Sequence, residues 1–322
     1  MPEDERYGTM NKESFQRPDI VRPPSEWKSY FLPLTNGCSN NTCAFCANYG
    51  SRLRIREVDE AKAEVDALDL YVRSGIRLPN IQPIVYEIAP NLGSKRIFLQ
   101  DSDALVYPFP KLLEILRHIN GKFPDLERIS AYATPQDLLR RSIEELKDLK
   151  DNKLTILYVG VESGDDDVLK HVRKRVTHAQ ILEAANKAKE AGIALSITVI
   201  LGLGGVEGSH RHAIETARIL SEIDPEFGGA LTLTLVPGTP LYKEAQDGAF
   251  DLITPFQSLE ELRLMIEHSS FTSCFFSSMH ASNYFSVRGT LPREKGRMIK
   301  ELDDIISKGD PSLLRAEFMR GL

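Results

Sequence analysis

The chain has 322 residues, of which 42% are hydrophobic and 27% charged, and it carries a formal net charge of −6. That composition is ordinary for a soluble globular protein long enough to bury one large core. The acidic balance gives no electrostatic case for a broad nucleic-acid footprint, and no apolar run approaches the ~20 residues of a membrane-spanning helix.

The N-terminus opens Met-Pro-Glu-Asp-Glu-Arg, without the basic and apolar regions of a signal peptide, so a cytoplasmic location is expected. Residues 1–25 are polar, bear Pro2, Pro18, Pro23 and Pro24, and read as an arm rather than core. Short apolar segments then recur at 29–34, 96–100, 128–134, 154–161, 194–201 and 230–236. They are rich in Ile, Val, Leu, Thr and Tyr, as buried parallel strands are.

Helical stripes lie between them. Leu112, Leu113, Leu116 and Ile119 form one, and Leu139, Ile143, Leu146 and Leu149 another. Thr177 and Gln180 read as a capping box ahead of Ile181, Leu182, Ala185 and Ala188, with Gly192 at the stop. Ile214, Ala217, Leu220 and Ile223 make a fourth stripe, and a polar helix is expected from about Pro292. Six β/α units predict an α/β fold, a partial (β/α)6 TIM-like barrel with parallel strands, with a doubly wound open sheet as the competitor. The expected division is an arm over 1–25, the barrel over 26–245, and an extension over 246–322 covering the barrel's open side. Functional residues should gather at the C-terminal ends of the strands.

Three of the four cysteines, Cys38, Cys43 and Cys46, sit in one loop just past the first predicted strand. Thiolates select zinc, copper(I) or iron–sulfur clusters. A structural zinc site wants four protein ligands, and no histidine lies near. The C-x4-C-x2-C spacing also begins a plant-type [2Fe–2S] set, but the only remaining cysteine, Cys274, is far downstream. A three-cysteine [4Fe–4S] cluster with one open iron is the favoured reading, with zinc and [2Fe–2S] kept as alternatives.

Other strand ends carry chemistry. Asp101 and Asp103 follow the second strand, placed to bind an ammonium group or to serve as a cap or turn. Glu162 ends the fourth, costly to bury unpaired and suited to accept from ribose hydroxyls or an amine. Gly202, Gly204 and Gly205 follow the fifth, where backbone can approach a ligand closely.

Together these residues resemble the radical SAM superfamily. The cysteine loop with Phe45 before its last cysteine is similar to the family's C-x3-C-x2-C loop, with one residue more. The run Gly160 to Lys174 is similar to the fourth strand of the subgroup containing oxygen-independent coproporphyrinogen oxidase-like and methylthiotransferase-like proteins, and Pro237-Gly238-Thr239-Pro240 recurs there. The resemblance implies that Cys38, Cys43 and Cys46 bind a [4Fe–4S] cluster and that S-adenosylmethionine (SAM) chelates the open iron. It implies that Glu162 and Ser163 contact SAM, that Lys174 or Arg175 approaches its carboxylate, and that the Gly202 segment flanks its adenine. Phe45, Asp101 and Asp103 join this cofactor set. The implied activity is reductive cleavage of SAM to a 5′-deoxyadenosyl radical that abstracts hydrogen from a small-molecule or other unknown substrate, with an electron donor such as flavodoxin or ferredoxin. A heme or cluster carrier on the same scaffold is the alternative.

On the substrate side, the segment 274–288 gathers Cys274, His280, Asn283, Tyr284 and Arg288. Cys274, His280 and Tyr284 are candidate catalytic residues, with Cys274 or Tyr284 as hydrogen donor to a substrate radical. The bland alternative is a core cysteine and a structural histidine.

Overall fold

The computed structural model describes residues 15–321, so the first part of the expected arm, residues 1–14, lies outside the described residues. The strands in chain order are β1 (Tyr30–Pro33), β2 (Thr35–Asn36), β3 (Arg54–Ile55), β4 (Arg96–Gln100), β5 (Arg128–Ala133), β6 (Leu154–Glu162), β7 (Ala194–Leu201), β8 (Phe227–Thr232), β9 (Cys274–Ser277) and β10 (Arg288–Leu291). Eight of them form one sheet in the order β1-β4-β5-β6-β7-β8-β9-β10. Within this sheet every pairing from β1 to β9 is parallel, and only β10 runs antiparallel, against β9; β2 and β3 pair antiparallel apart from it. This is the expected α/β partial barrel. Its sheet is longer than six strands, because the C-terminal region adds one parallel and one antiparallel strand beyond β8.

Alternation along each strand sorts side chains to two faces. Leu32, Ile97, Leu99, Ile129, Leu157, Ile197 and Leu201 turn outward into the core shared with the helices. Phe31, Phe98, Ile156 and Tyr158 turn inward and, with Tyr132, form an aromatic lining of the lumen. Their edge-to-face pairs each add about 0.5–1.5 kcal/mol beyond burial.

Glu26 plugs the lumen from the strands' N-terminal side. It is wholly buried, and its Oε1 accepts from Arg128 Nη2 at 2.8 Å, Ser130 Oγ at 3.0 Å and Tyr158 OH at 2.7 Å. A buried carboxylate persists only when its lone pairs are satisfied in this way. The described part of the arm is likewise anchored. Arg17 pairs with the buried Glu64 at 3.0 Å, and Gln100 Nε2 donates to Asp19 O at 2.6 Å. None of residues 15–25 is buried, so this stretch is an arm rather than core, and it borders the barrel's cavity through Val21, Arg22, Pro23 and Pro24.

Local sequence explains most element ends. Thr177 and Gln180 cap each other, and Gly192 closes the helix His178–Glu190 at φ +76°. The stripe from Leu139 to Leu149 is split into the helices Pro135–Arg140 and Ile143–Asp151. Ser142 and Glu145 form a capping box, so a new helix starts where one had been expected to continue. The sixth expected strand starts earlier than 230. Gly228 and Gly229 obscure it in the sequence, being poor strand formers, yet Gly228 is where a Cβ would stand 2.8 Å from the ring of Phe276.

Candidate functional site

The cysteine loop is pinned at its base. Thr35 and Asn36 of β2 pair with Ile55 and Arg54 of β3, which brings residues 37–53 out as one excursion at the C-terminal end of β1. Gly37 turns the chain into it at φ +86°, where a Cβ would stand 2.9 Å from Arg52 O, so a side chain there is excluded. Gly37 N donates to Asp101 Oδ2 at 3.1 Å. Ala44 N donates to Val172 O at 2.8 Å and Leu241 N to Ala44 O at 3.0 Å, so the loop is clamped between two neighbouring segments. Phe45 packs over the cluster of Leu203, Leu233 and Phe250.

Cys38, Cys43 and Cys46 all line one cavity of about 340 Å³, together with Phe45, Glu162, Lys174 and His280. Burial pushes the Cys38 thiol up to about 12 and the Cys43 thiol up to about 11, and it raises Cys46 as well. A metal centre would have to displace those protons. The loop provides donors for the resulting negative charge. Asn40 Nδ2 lies 3.2 Å from Cys43 Sγ, and Asn48 N lies 3.4 Å from Cys46 Sγ. Hydrogen bonds of this kind to sulfur tune cluster potentials. Among the described residues no three His, Cys, Asp or Glu converge closely enough to hold a single metal ion. Three soft thiols facing a cavity with no fourth protein ligand fit a cluster, which is larger than an ion and holds its thiolates further apart.

Opposite the loop, Lys174 Nζ donates to Glu162 Oε1 at 2.8 Å. Both side chains are about nine-tenths buried. The backbone builds this pair. Glu162 sits at φ +68° after a register slip in β6, which turns its side chain back over Gly160. A Cβ at Gly160 would stand 2.1 Å from Glu162 Oε1, so that strand position admits only glycine in this arrangement. Arg173 and Arg175 flank Lys174 at φ +57° and +62°; they point outward while Lys174 points in. The Glu162 carboxylate and its hydrogen bond hold the Lys174 ammonium above its ordinary range, against the effect of burial.

The remaining sequence candidates divide. Asp101 borders a second cavity of about 1020 Å³ that shares Phe45, Cys46, Tyr132 and His280 with the first. Asp103 does not reach either cavity. It is wholly buried, caps Leu105 N, and shares Ser39 Oγ with Asp137, at 2.5 and 2.7 Å. Burial and the neighbouring Asp137 push its carboxyl well above the usual range. Asp103 is thus a cap and a loop anchor, not an ammonium ligand. Ser163 is also turned away: its Oγ pairs with His212 Nδ1 at 2.8 Å and accepts from Asp165 N. Gly202, at φ +82°, packs under Ile253 and donates to Glu261 Oε2 at 2.6 Å, away from both cavities.

On the substrate side, Cys274 is a wholly buried core residue of β9. Tyr284 hydrogen-bonds Glu317 Oε2 at 2.7 Å and stacks under Arg320, outside the cavity. Neither is placed for catalysis, because both side chains are claimed by packing. His280 does line the cavity, and its Nδ1 lies 2.9 Å from Ser282 Oγ. Asn40, Asn48 and the arm residues Val21 and Arg22 belong to the site but were not singled out from sequence, and Gly160 was noted only as the start of the run to Lys174. Only the repeated Asn around the cysteines offered a signal, as donors next to thiolates.

The superfamily model for radical SAM proteins matches residues 32–217, more than half the chain. The chain belongs to the radical SAM superfamily. The cofactors of that superfamily are a [4Fe–4S] cluster and SAM. The radical SAM chain is similar to the heme chaperone HemW of Bacillus subtilis, 27% identical over 62% of this chain and 59% of that protein. It is also similar to the tRNA-2-methylthio-N(6)-dimethylallyladenosine synthase of Clostridium tetani, 25% identical over 66% of this chain and 43% of that one. It spans about half the length of these curated relatives. In fold it is similar to coproporphyrinogen III oxidase from Escherichia coli, with a TM-score of 0.52 and 18% identity, covering 74% of this chain and 51% of that chain. No helix among the described residues is long and apolar enough to cross a membrane.

Proposed function

We propose that this protein is a radical SAM enzyme whose cluster is held by Cys38, Cys43 and Cys46 and whose substrate is a small molecule bound in the lumen. The observation that carries the reading is that the three thiols, the Glu162–Lys174 pair and His280 open onto one cavity at the C-terminal ends of the strands. When bound, the cluster and SAM supply one-electron cleavage of a carbon–sulfur bond and an oxidising carbon radical.

The chain's own residues position and shield. Asn40 and Asn48 donate toward the cysteine sulfurs. Lys174 offers the buried positive charge nearest the thiols and suits a carboxylate. Glu162 offers an acceptor for an amine or a ribose hydroxyl. Phe45, Tyr132, Ile200 and Leu231 form apolar walls that keep water from the reacting centre. His280 stands on the substrate side, beyond β9. The domain division proposed is the arm over 1–25, the barrel over 26–245 and the extension over 246–322, with flavodoxin or ferredoxin as electron donor.

A second reading, heme or cluster carriage without SAM cleavage, draws support from the similarity to a heme chaperone. Turnover separates the two. The cluster-reconstituted, reduced protein should convert SAM to 5′-deoxyadenosine and methionine. Binding of SAM without any cleavage would favour carriage.

A further inference from the structure

The lumen does not end at the cluster-side cavity. A further cavity of about 420 Å³ continues it toward the strands' N-terminal ends and shares Tyr158, Thr198, Leu231 and His280 with the first. Its roominess has a specific origin. Gly229 and Ser277 are register partners on β8 and β9, where larger inward side chains would fill the space. A Cβ on Gly229 would meet nothing closer than 3.7 Å.

The charge lining this space is one-sided. Arg96, Arg128 and Arg288 border it, and no Asp or Glu does. Arg128 is neutralised by Glu26 at 2.8 Å. Neither Arg96 nor Arg288 has a hydrogen-bonding or ion-pair partner for its guanidinium among the described residues. They come from distant parts of the sheet: Arg96 opens β4, second in the strand order, and Arg288 opens β10, last in it. Arg96 is half-buried and Arg288 exposed, so both guanidiniums border the cavity from its rim, where an anion between them would meet two positive charges. Guanidinium forks match the geometry of carboxylate and phosphate oxygens.

We propose that this lower cavity is a subsite for an oxyanion group, carboxylate or phosphate, carried by the small-molecule substrate. The inference rests on the proposed function and deepens it. The substrate's charged end is anchored by Arg96 and Arg288, and its other end reaches up past Thr198 and Leu231 to the cluster-side cavity. Ser196, Thr198 and Ser277 add hydroxyl donors along the way. A bare anion should bind there even when the rest of the substrate is missing.

The test is calorimetric titration of the cluster-reconstituted full chain with succinate and, separately, inorganic phosphate, alongside a SAM titration of the same sample. Saturable binding of either anion is expected, weakened about tenfold or more in Arg96→Gln and in Arg288→Gln, since each removes a charge-assisted contact. Gly229→Val should weaken it too, by filling the cavity, while Arg117→Gln, on an outer helix, should not. The tighter anion identifies the group as carboxylate or phosphate. Absence of saturable binding, or equal affinity in wild type and both arginine variants, would overturn the subsite. If SAM binds and neither anion does, the subsite fails and the enzyme reading stands. If the anions bind as expected and SAM does not, the subsite stands and the enzyme reading fails.

Discussion

Lys174 Nζ donates to Glu162 Oε1 at 2.8 Å, inside the cavity that the three cysteines line. The two residues are brought together by three left-handed backbone positions, at Glu162, Arg173 and Arg175, and by the missing side chain at Gly160. An acid and a base held in the cavity that the three cysteines line can each meet one end of a zwitterionic cosubstrate.

Gly160→Ala tests that arrangement without touching either charge. The new methyl group would overlap Glu162 Oε1, so the carboxylate must leave its place beside Lys174. SAM affinity measured by equilibrium dialysis should fall about tenfold or more, the size of a lost charge-assisted hydrogen bond. Iron content should be unchanged. Unaltered SAM affinity would show that Glu162 does not need this position.

Lys174→Met should cost stability as well as binding. It leaves a nearly buried carboxylate uncompensated, and breaking such a pair costs about 3–5 kcal/mol. Urea unfolding should show it as a lower midpoint with an unchanged slope. Glu162→Gln combined with Lys174→Met should recover part of the loss, because neither charge then remains. A double variant no better than Lys174→Met would contradict the pairing.

Glu261 gives a pH prediction. Burial raises its carboxyl from the ordinary 4.5 to about 7, and its Oε2 accepts from Gly202 N. A raised folded value means the folded state binds the proton more tightly. Its stabilising effect is therefore present below about pH 4.5 and is lost as pH rises through 7. Glu261→Gln keeps an acceptor for Gly202 and removes the titration. The variant should gain on the wild type between pH 5 and pH 8, by up to about 3 kcal/mol. Thermal unfolding across that range measures it, and a constant difference between the two proteins would refute the assignment. His212, held neutral by burial and lowered to about 4, acts in the opposite sense and loses stability as pH falls below 6.5. Its Nε2 stands 4.0 Å from Glu261 Oε2, so the comparison reads the two groups as a pair, and the window above pH 6.5 isolates Glu261.

The sequence was most legible where a single periodicity governs. The strands 96–100 and 194–201 stand where their apolar runs lie, and Thr177 and Gln180 cap the helix they were expected to cap. The cysteine loop was legible because thiols are rare and three in nine residues serve no packing purpose. Less legible were features that depend on what a residue lacks. Gly228 and Gly229 hide β8, and Gly160 looks like any residue of an apolar strand until Glu162 is seen folded over it. The Glu162–Lys174 contact was hidden because it requires left-handed backbone at two arginines, which no pattern advertises. Ser163 was drawn toward the site by the resemblance, Asp103 by its place past a strand, and Tyr284 and Cys274 by residue type and their place after the sixth β/α unit. In the fold His212, Asp137, Glu317 and the β9 core claim them.

The central claim is that Cys38, Cys43 and Cys46 hold a cluster whose open iron takes SAM. Electron paramagnetic resonance of the anaerobically reduced protein, with and without SAM, tests it most directly. The protein should hold about four irons per chain and give a cluster signal that changes on adding SAM. Both should be lost in Cys38→Ala, Cys43→Ala and Cys46→Ala, and both kept in Cys274→Ala. A signal indifferent to SAM, or full iron retained in Cys43→Ala, would contradict it.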